Sequence, residues 1–108
     1  MRDRLDSDQC ARSLRAIGDP DRLKIIQCLQ AGPRNVSELA VLLGAELANV
    51  SHHLRVLREA SLVMDNKQGK FVVYSLNPEV FKPGQPVDAL DLGCCRLELT
   101  GESAKERS

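Results

Sequence analysis

A chain of 108 residues buries roughly two-thirds of its unfolded surface around one core and is too short for a multidomain enzyme. With 43% hydrophobic and 28% charged residues it reads as a folded domain, while 3% aromatic content without Trp excludes recognition by base-stacking platforms. The net charge is zero, so any nucleic-acid contact needs a local patch, and basic residues outnumber acidic ones only from Asn49 to Pro78, 4 to 2.

From Ser7, an N-cap candidate, Cys10, Leu14 and Ile17 recur at helical spacing until Gly18-Asp19-Pro20 ends the run. Pro20 then opens a second helix, where its missing N–H costs nothing; Leu23, Ile26 and Leu29 or Gln30 form its stripe, and Gly32-Pro33 stops it. Asn35 or Ser37 can cap a short third helix carrying Leu39, Leu42 and Leu43, with Glu38 in its first turn and Gly44 at its end. The fourth helix has the cleanest period: Leu47, Val50, Leu54 and Leu57 face inward, leaving Asn49, Ser51, His52, Arg55 and Arg58 off the core side.

Two β-prone segments, Leu62 to Asn66 and Lys70 to Leu76, are joined through Lys67-Gln68-Gly69, where Gly supplies the positive φ of a tight hairpin. Beyond Phe81, the residues Pro83, Gly84 and Pro86 break structure before VDALDLGCCRLEL. That stretch fits a helix through Val87, Leu90, Cys94 and Leu97, or a strand whose register slips at the cysteines. The strand is favoured because Gly93 weakens a helix and marks a bulge. The last residues, GESAKERS, read as a frayed polar end.

The expected fold is therefore mainly α with a β-hairpin wing, a winged helix-turn-helix of order α-α-α-α-β-β with a strand-like tail. Residues 1–80 form the expected DNA-binding domain and 81–108 the dimerisation and sensing segment. The tail is too apolar to lie free, so it is expected to build a homodimer together with helix one.

The major groove admits one α-helix, which needs short polar side chains for base edges and cations for phosphates. Ser51, His52 and His53 lie early on the fourth helix, Arg55 and Arg58 follow, and Lys67 and Lys70 on the hairpin can straddle neighbouring phosphates. A solvated amphipathic helix beside an ordinary hairpin explains the same residues one by one, but not their placement after a short helix and a tight turn.

The runs IGDPDRLKIIQCL, NVSELAVLLGAELANVSHHLRVLREASLV and KQGKFVVYSL resemble the ArsR/SmtB family of winged-helix transcriptional repressors over about Ala16 to Leu76. The resemblance implies a homodimeric repressor that binds double-stranded operator DNA and releases it when a metal, metalloid or other inducer binds. By position, Asn49, Ser51, His52, His53 and Arg55 match the family's recognition helix, and Lys67, Gly69 and Lys70 its wing. The chain departs from the family at Glu46 and Leu47, which bring a carboxylate to the start of the reading helix. It also lacks the metalloid motif of cysteines on the third helix, and its tail lacks the Asp/His and His/Glu pattern of the zinc-sensing branch.

Cys94 and Cys95 remain as candidate ligands for a thiophilic metal or metalloid inducer, or as targets of an oxidant. Trivalent arsenic takes three sulfurs, so Cys10, Cys28 or a thiol of another subunit would have to complete the set. The plainer alternative makes Cys94 and Cys95 small buried hydrophobes in a dimer-forming tail, and Cys10 and Cys28 core members of their stripes.

Adjacent helical positions point ~100° apart, so His52 and His53 cannot readily chelate one ion. No phosphate-binding Gly loop, Ser/His/Asp set or enclosed carboxylate pair can be assembled, so the chain is not expected to be an enzyme. Two other readings remain: a thiol-disulfide redox protein using Cys94-Cys95, although such enzymes usually keep two residues between their cysteines, and a winged-helix regulator with no metal effector. No apolar run approaches the ~20 residues of a membrane span, and MRDRLDSDQC lacks a signal peptide's apolar stretch. The expected setting is the cytoplasm, with no membrane contact and with all four cysteines reduced.

Overall fold

The computed structural model describes residues 7–81, 89–92 and 94–98. The elements are α1 (Ser7–Ile17), α2 (Pro20–Gln30), β1 (Arg34–Asn35), α3 (Val36–Leu43), α4 (Leu47–Glu59), β2 (Val63–Gln68), β3 (Phe71–Leu76), β4 (Ala89–Asp91) and β5 (Arg96–Glu98). The mainly α architecture with a β-hairpin wing is thus as expected. A two-residue strand joins it: β1 pairs antiparallel with β3, through Arg34↔Tyr74 and Asn35↔Val73, giving a three-stranded sheet of order β1-β3-β2.

Local chemistry sets the helix ends. Asp19 caps α2 by accepting the N–H groups of Asp21 and Arg22 at 3.0 and 3.1 Å, with Pro20 at the first helical position. Of the two cap candidates for α3, Asn35 takes the role. Its Oδ1 accepts the Glu38 N–H at 2.8 Å while Glu38 Oε1 accepts the Asn35 N–H at 2.9 Å, which is a capping box. Gly44 ends α3 at φ 65°, and nothing lies within 4 Å of where a Cβ would sit, so backbone conformation rather than space requires glycine there.

The core gathers Ile25, Ile26 and Leu29 of α2, Leu39 of α3, Val50, Leu54 and Leu57 of α4, Leu62 and Val63, and Leu90 and Leu92 of the tail. Three stripe assignments are corrected. The buried face of α1 is Ser13, Ala16 and Ile17, leaving Leu14 exposed. Leu42 points outward from α3, because Leu39 and Ala40 are the positions that meet the core. Leu47 is 54% exposed, because it lies in the first turn of α4, ahead of where that helix meets the others.

The tail is strand-like, but it is a hairpin rather than one strand with a slipped register. Leu90 pairs with Leu97 and Asp91 with Arg96, and the Leu92 N–H closes the turn on the Cys95 carbonyl at 2.9 Å. The helical alternative does not hold for these residues. Leu90 and Leu92 are buried against the core of their own chain. The break at Pro83, Gly84 and Pro86, along with Val87, Gly93 and the end from residue 99, lies outside the described residues.

Candidate DNA-reading face and cysteine cluster

Between α3 and α4 the chain turns in three residues, Gly44 to Glu46, held by the Gly44 N–H on the Val41 carbonyl and the Ala45 N–H on the Ala40 carbonyl. Val50, Leu54 and Leu57 are fully buried, so the period of the helix forces Asn49, Ser51, His52, Arg55 and Arg58 outward, and all five are exposed. Glu46, the N-cap residue of α4, makes no side-chain capping bond, so the first N–H groups of the helix keep free donor capacity.

The hairpin stands beside this face. β2 and β3 pair from Val63↔Leu76 to Gln68↔Phe71, around a turn whose Gly69 takes φ 63°. Lys67 and Lys70 are exposed at its tip. Arg58 Nη1 donates to Asp65 Oδ2 at 3.0 Å, which joins the end of α4 to β2. Arg58 is therefore partly neutralised, whereas Arg55 makes no ion pair among the described residues.

His53 lies apart from the outward face. Its side chain is 15% exposed and turns back toward the start of α2, with Nδ1 3.3 Å from Arg22 Nη1. A guanidinium can only donate, so Nδ1 accepts and the proton of the neutral ring belongs on Nε2. Nε2 faces Asp19 Oδ2 at 3.9 Å and Asp21 Oδ2 at 3.8 Å, both beyond hydrogen-bond reach. The Arg22 N–H holds the Asp19 carboxyl below its ordinary range, opposed by partial desolvation and aided by the nearby His53.

Asp19, Asp21 and His53 could by composition hold a cation. Binding through Nε2 would require the other tautomer and set an N–H against the Arg22 guanidinium, so the geometry favours the Arg22–His53 hydrogen bond, which ties α2 to α4. Pro20 marks the start of α2 in the sequence, whereas its tie to His53 spans 31 or more residues and has no local signature.

Cys94 and Cys95 occupy the turn of the β4-β5 hairpin, and α1 brings Cys10 to them. Cys10 and Cys94 form a disulfide with Cα atoms 5.9 Å apart, and Cys10 Sγ lies 3.7 Å from Cys95 Sγ. This corrects two expectations, that Cys10 is a core residue and that all four cysteines are reduced. Cys10 lies one and two turns ahead of the buried Ser13 and Ile17, on the same side of α1, and there meets the tail turn within ordinary disulfide reach. Cys28 packs against the core, outside the cluster.

A short helix, a three-residue turn, a second helix with one buried and one polar face, and a flanking hairpin define a winged helix-turn-helix DNA-binding domain. The model of the bacterial regulatory proteins of the arsR family matches residues 19–65. The chain is 46% identical over 68 residues to the HTH-type transcriptional regulator NmtR of Mycobacterium tuberculosis, covering 63% of this chain and 57% of NmtR. It is 35% identical over 68 residues to the transcriptional repressor SdpR of Bacillus subtilis, covering 63% of this chain and 76% of SdpR. The solution structure of the homodimeric winged helix-turn-helix domain Mb0332 of Mycobacterium bovis superposes with a TM-score of 0.66 at 31% identity, over 73% of this chain and 75% of that one. The chain belongs to the arsR family, whose members are DNA-binding transcriptional regulators and not enzymes. It spans 57% of the length of NmtR.

Proposed function

We propose that the chain acts as a homodimeric repressor that lays α4 of each subunit in the major groove of double-stranded operator DNA and lets go when an effector reaches Cys94 and Cys95. The observation that carries the reading is the exposed polar face of α4, fixed by three fully buried residues on its opposite side and flanked by a cationic wing. Asn49, Ser51 and His52 are short enough to meet base edges, Arg55 meets a phosphate or a base, and Lys67 and Lys70 meet phosphates alongside. His53 and Arg58, also matched to DNA by sequence, position the helix and the wing. The homodimeric Mb0332 domain supports pairing of two such helices on a pseudo-palindrome.

Residues 1–80 would then read DNA, while 81–108 would carry the effector thiols and, with α1, the dimer contact. A thiophilic metal or metalloid suits those sulfurs. A reader of genomic operators works in the cytoplasm; among the described residues no helix is long and apolar enough to cross a membrane.

The test is binding of a promoter fragment as ionic strength varies. With about four phosphates neutralised per subunit, the log–log slope should lie near −7. Arg55→Ala should lower the affinity, whereas a flat salt response would overturn the reading.

A further inference from the structure

The sulfurs of Cys10, Cys94 and Cys95 all lie within 4.8 Å of one another, yet they come from opposite ends of the chain. We propose that they form one site with two mutually exclusive states: reduced, it holds a thiophilic ion through three thiolates; oxidised, the Cys10–Cys94 disulfide closes it. A hydroperoxide would then block the response to the ion. The proposal rests on the thiol-effector reading above and adds Cys10, the geometry and the antagonism.

A metal–sulfur bond of about 2.3 Å places trigonal thiolate sulfurs roughly 4 Å apart. The 3.7 Å between Cys10 and Cys95 is already close to that separation, and opening the disulfide frees the third sulfur beside them. All three cysteines are half-buried, open to a small ion or peroxide yet sheltered from bulk water. Soft thiolates select soft ions. Trivalent arsenic fits the donor count: arsenous acid exchanges three hydroxyls for three thiol sulfurs, each hydroxyl leaving as water with the proton of the thiol that replaces it. Closing the disulfide leaves one thiol in the cluster, Cys95, too few to hold the ion.

The oxidation balances with hydrogen peroxide as oxidant. One thiol of the Cys10/Cys94 pair, attacking as its thiolate, takes an oxygen from peroxide and becomes a sulfenic acid, and the hydroxide that leaves takes up the proton the thiol gave up, forming one water. The second thiol displaces that oxygen as another water and completes the disulfide. Cys95 adds an exchange route: its thiolate can attack Cys10 Sγ, forming Cys10–Cys95 and expelling Cys94 as the thiolate, which takes up the proton Cys95 gave up. Pairing of adjacent Cys94 and Cys95 would instead close a strained ring. Cys10 is thus common to both favourable closures.

The experiment titrates the full chain, fully reduced or oxidised with peroxide, with arsenite and in a second arm with cadmium, reading bound ion after equilibrium dialysis. Reduced protein should hold one ion per chain, oxidised protein should bind more than about 100-fold more weakly, and a reductant should restore binding. Cys10→Ser should weaken binding as severely, while Cys28→Ser should leave it unchanged. Peptide mapping of oxidised Cys94→Ser should find a Cys10–Cys95 disulfide. Equal binding by reduced and oxidised wild-type chain, or wild-type affinity in Cys10→Ser, overturns the shared site; a Cys94→Ser chain that forms no intramolecular disulfide overturns the exchange.

Operator affinity measured on the same samples separates the two readings. Ion binding that follows the redox state without moving operator affinity leaves the site standing and removes its sensing role. Arsenite-driven release that is equal in both redox states removes the antagonism.

Discussion

The reading helix and the tail cluster are built by opposite means. In α4 a local period does the work: Val50, Leu54 and Leu57 bury one side, and the other is turned to solvent within thirteen residues. In the cluster, residues separated by 84 positions meet because α1 and the β4-β5 hairpin pack on the same core. The outward face of α4 is therefore insensitive to distant chemistry unless that chemistry moves packed elements, and the cluster touches such an element, α1. An effector at the tail can act only through its differential affinity for two arrangements of those elements.

The sharpest way to break this comparison is to make the same cavity in both regions. Leu54 in α4 and Leu90 in β4 are both fully buried, so each change to Ala should cost about 2–5 kcal/mol, read from the midpoint of urea unfolding at unchanged slope. A near-zero effect at Leu90 would show that the tail is an appendage rather than part of the core.

The difference also explains what was legible in the sequence. Helix boundaries around Pro20, Asn35 and Gly44, and the hairpin turn at Gly69, followed from residues whose backbone chemistry allows few alternatives. The turn after α4 carries no such marker: Ser61 adopts φ 63° without being glycine, and Asn77, sixteen residues on, donates to its carbonyl at 2.9 Å. β1 was invisible because two residues show no period and are strand only through their partner β3. The outward residues of α4 were readable from one helix wheel. His53 was not, because only the fold shows which side of the wheel meets Asp19, Asp21 and Arg22. Cys10 was one of several candidates to complete a thiol set with Cys94 and Cys95, and only the fold shows that it, rather than Cys28, reaches them.

The tie between α2 and α4 offers a middle-sized test. Removing the Asp19 cap by Asp19→Ala should destabilise the chain by about 1 kcal/mol. The Asp19 carboxyl is held below its ordinary value of 3.8, chiefly by the Arg22 N–H. A depressed folded value means that its ionised form stabilises the fold fully above 3.8, and that this contribution is lost as pH falls through the lower folded value. Asp19→Asn keeps a capping oxygen but does not titrate, so its stability should fall less steeply than wild type over that acidic window. Parallel curves would show that the cap, not the charge, supplies the effect.

The smallest effect is expected at Arg58, and its size is what makes it informative. Its bond to Asp65 joins two half-exposed side chains, and exposed pairs contribute about 0.2–1 kcal/mol, so Arg58→Ala should leave the unfolding midpoint almost unmoved. If the pair orients the wing, operator binding should suffer more than stability does. Asp65→Ala should then weaken binding as well, although removing a carboxylate beside DNA would otherwise strengthen it. If instead Arg58 meets phosphate directly, Asp65→Ala should free the guanidinium and tighten binding. The sign of the Asp65→Ala change in operator affinity at fixed ionic strength therefore assigns Arg58 to wing positioning or to direct phosphate contact.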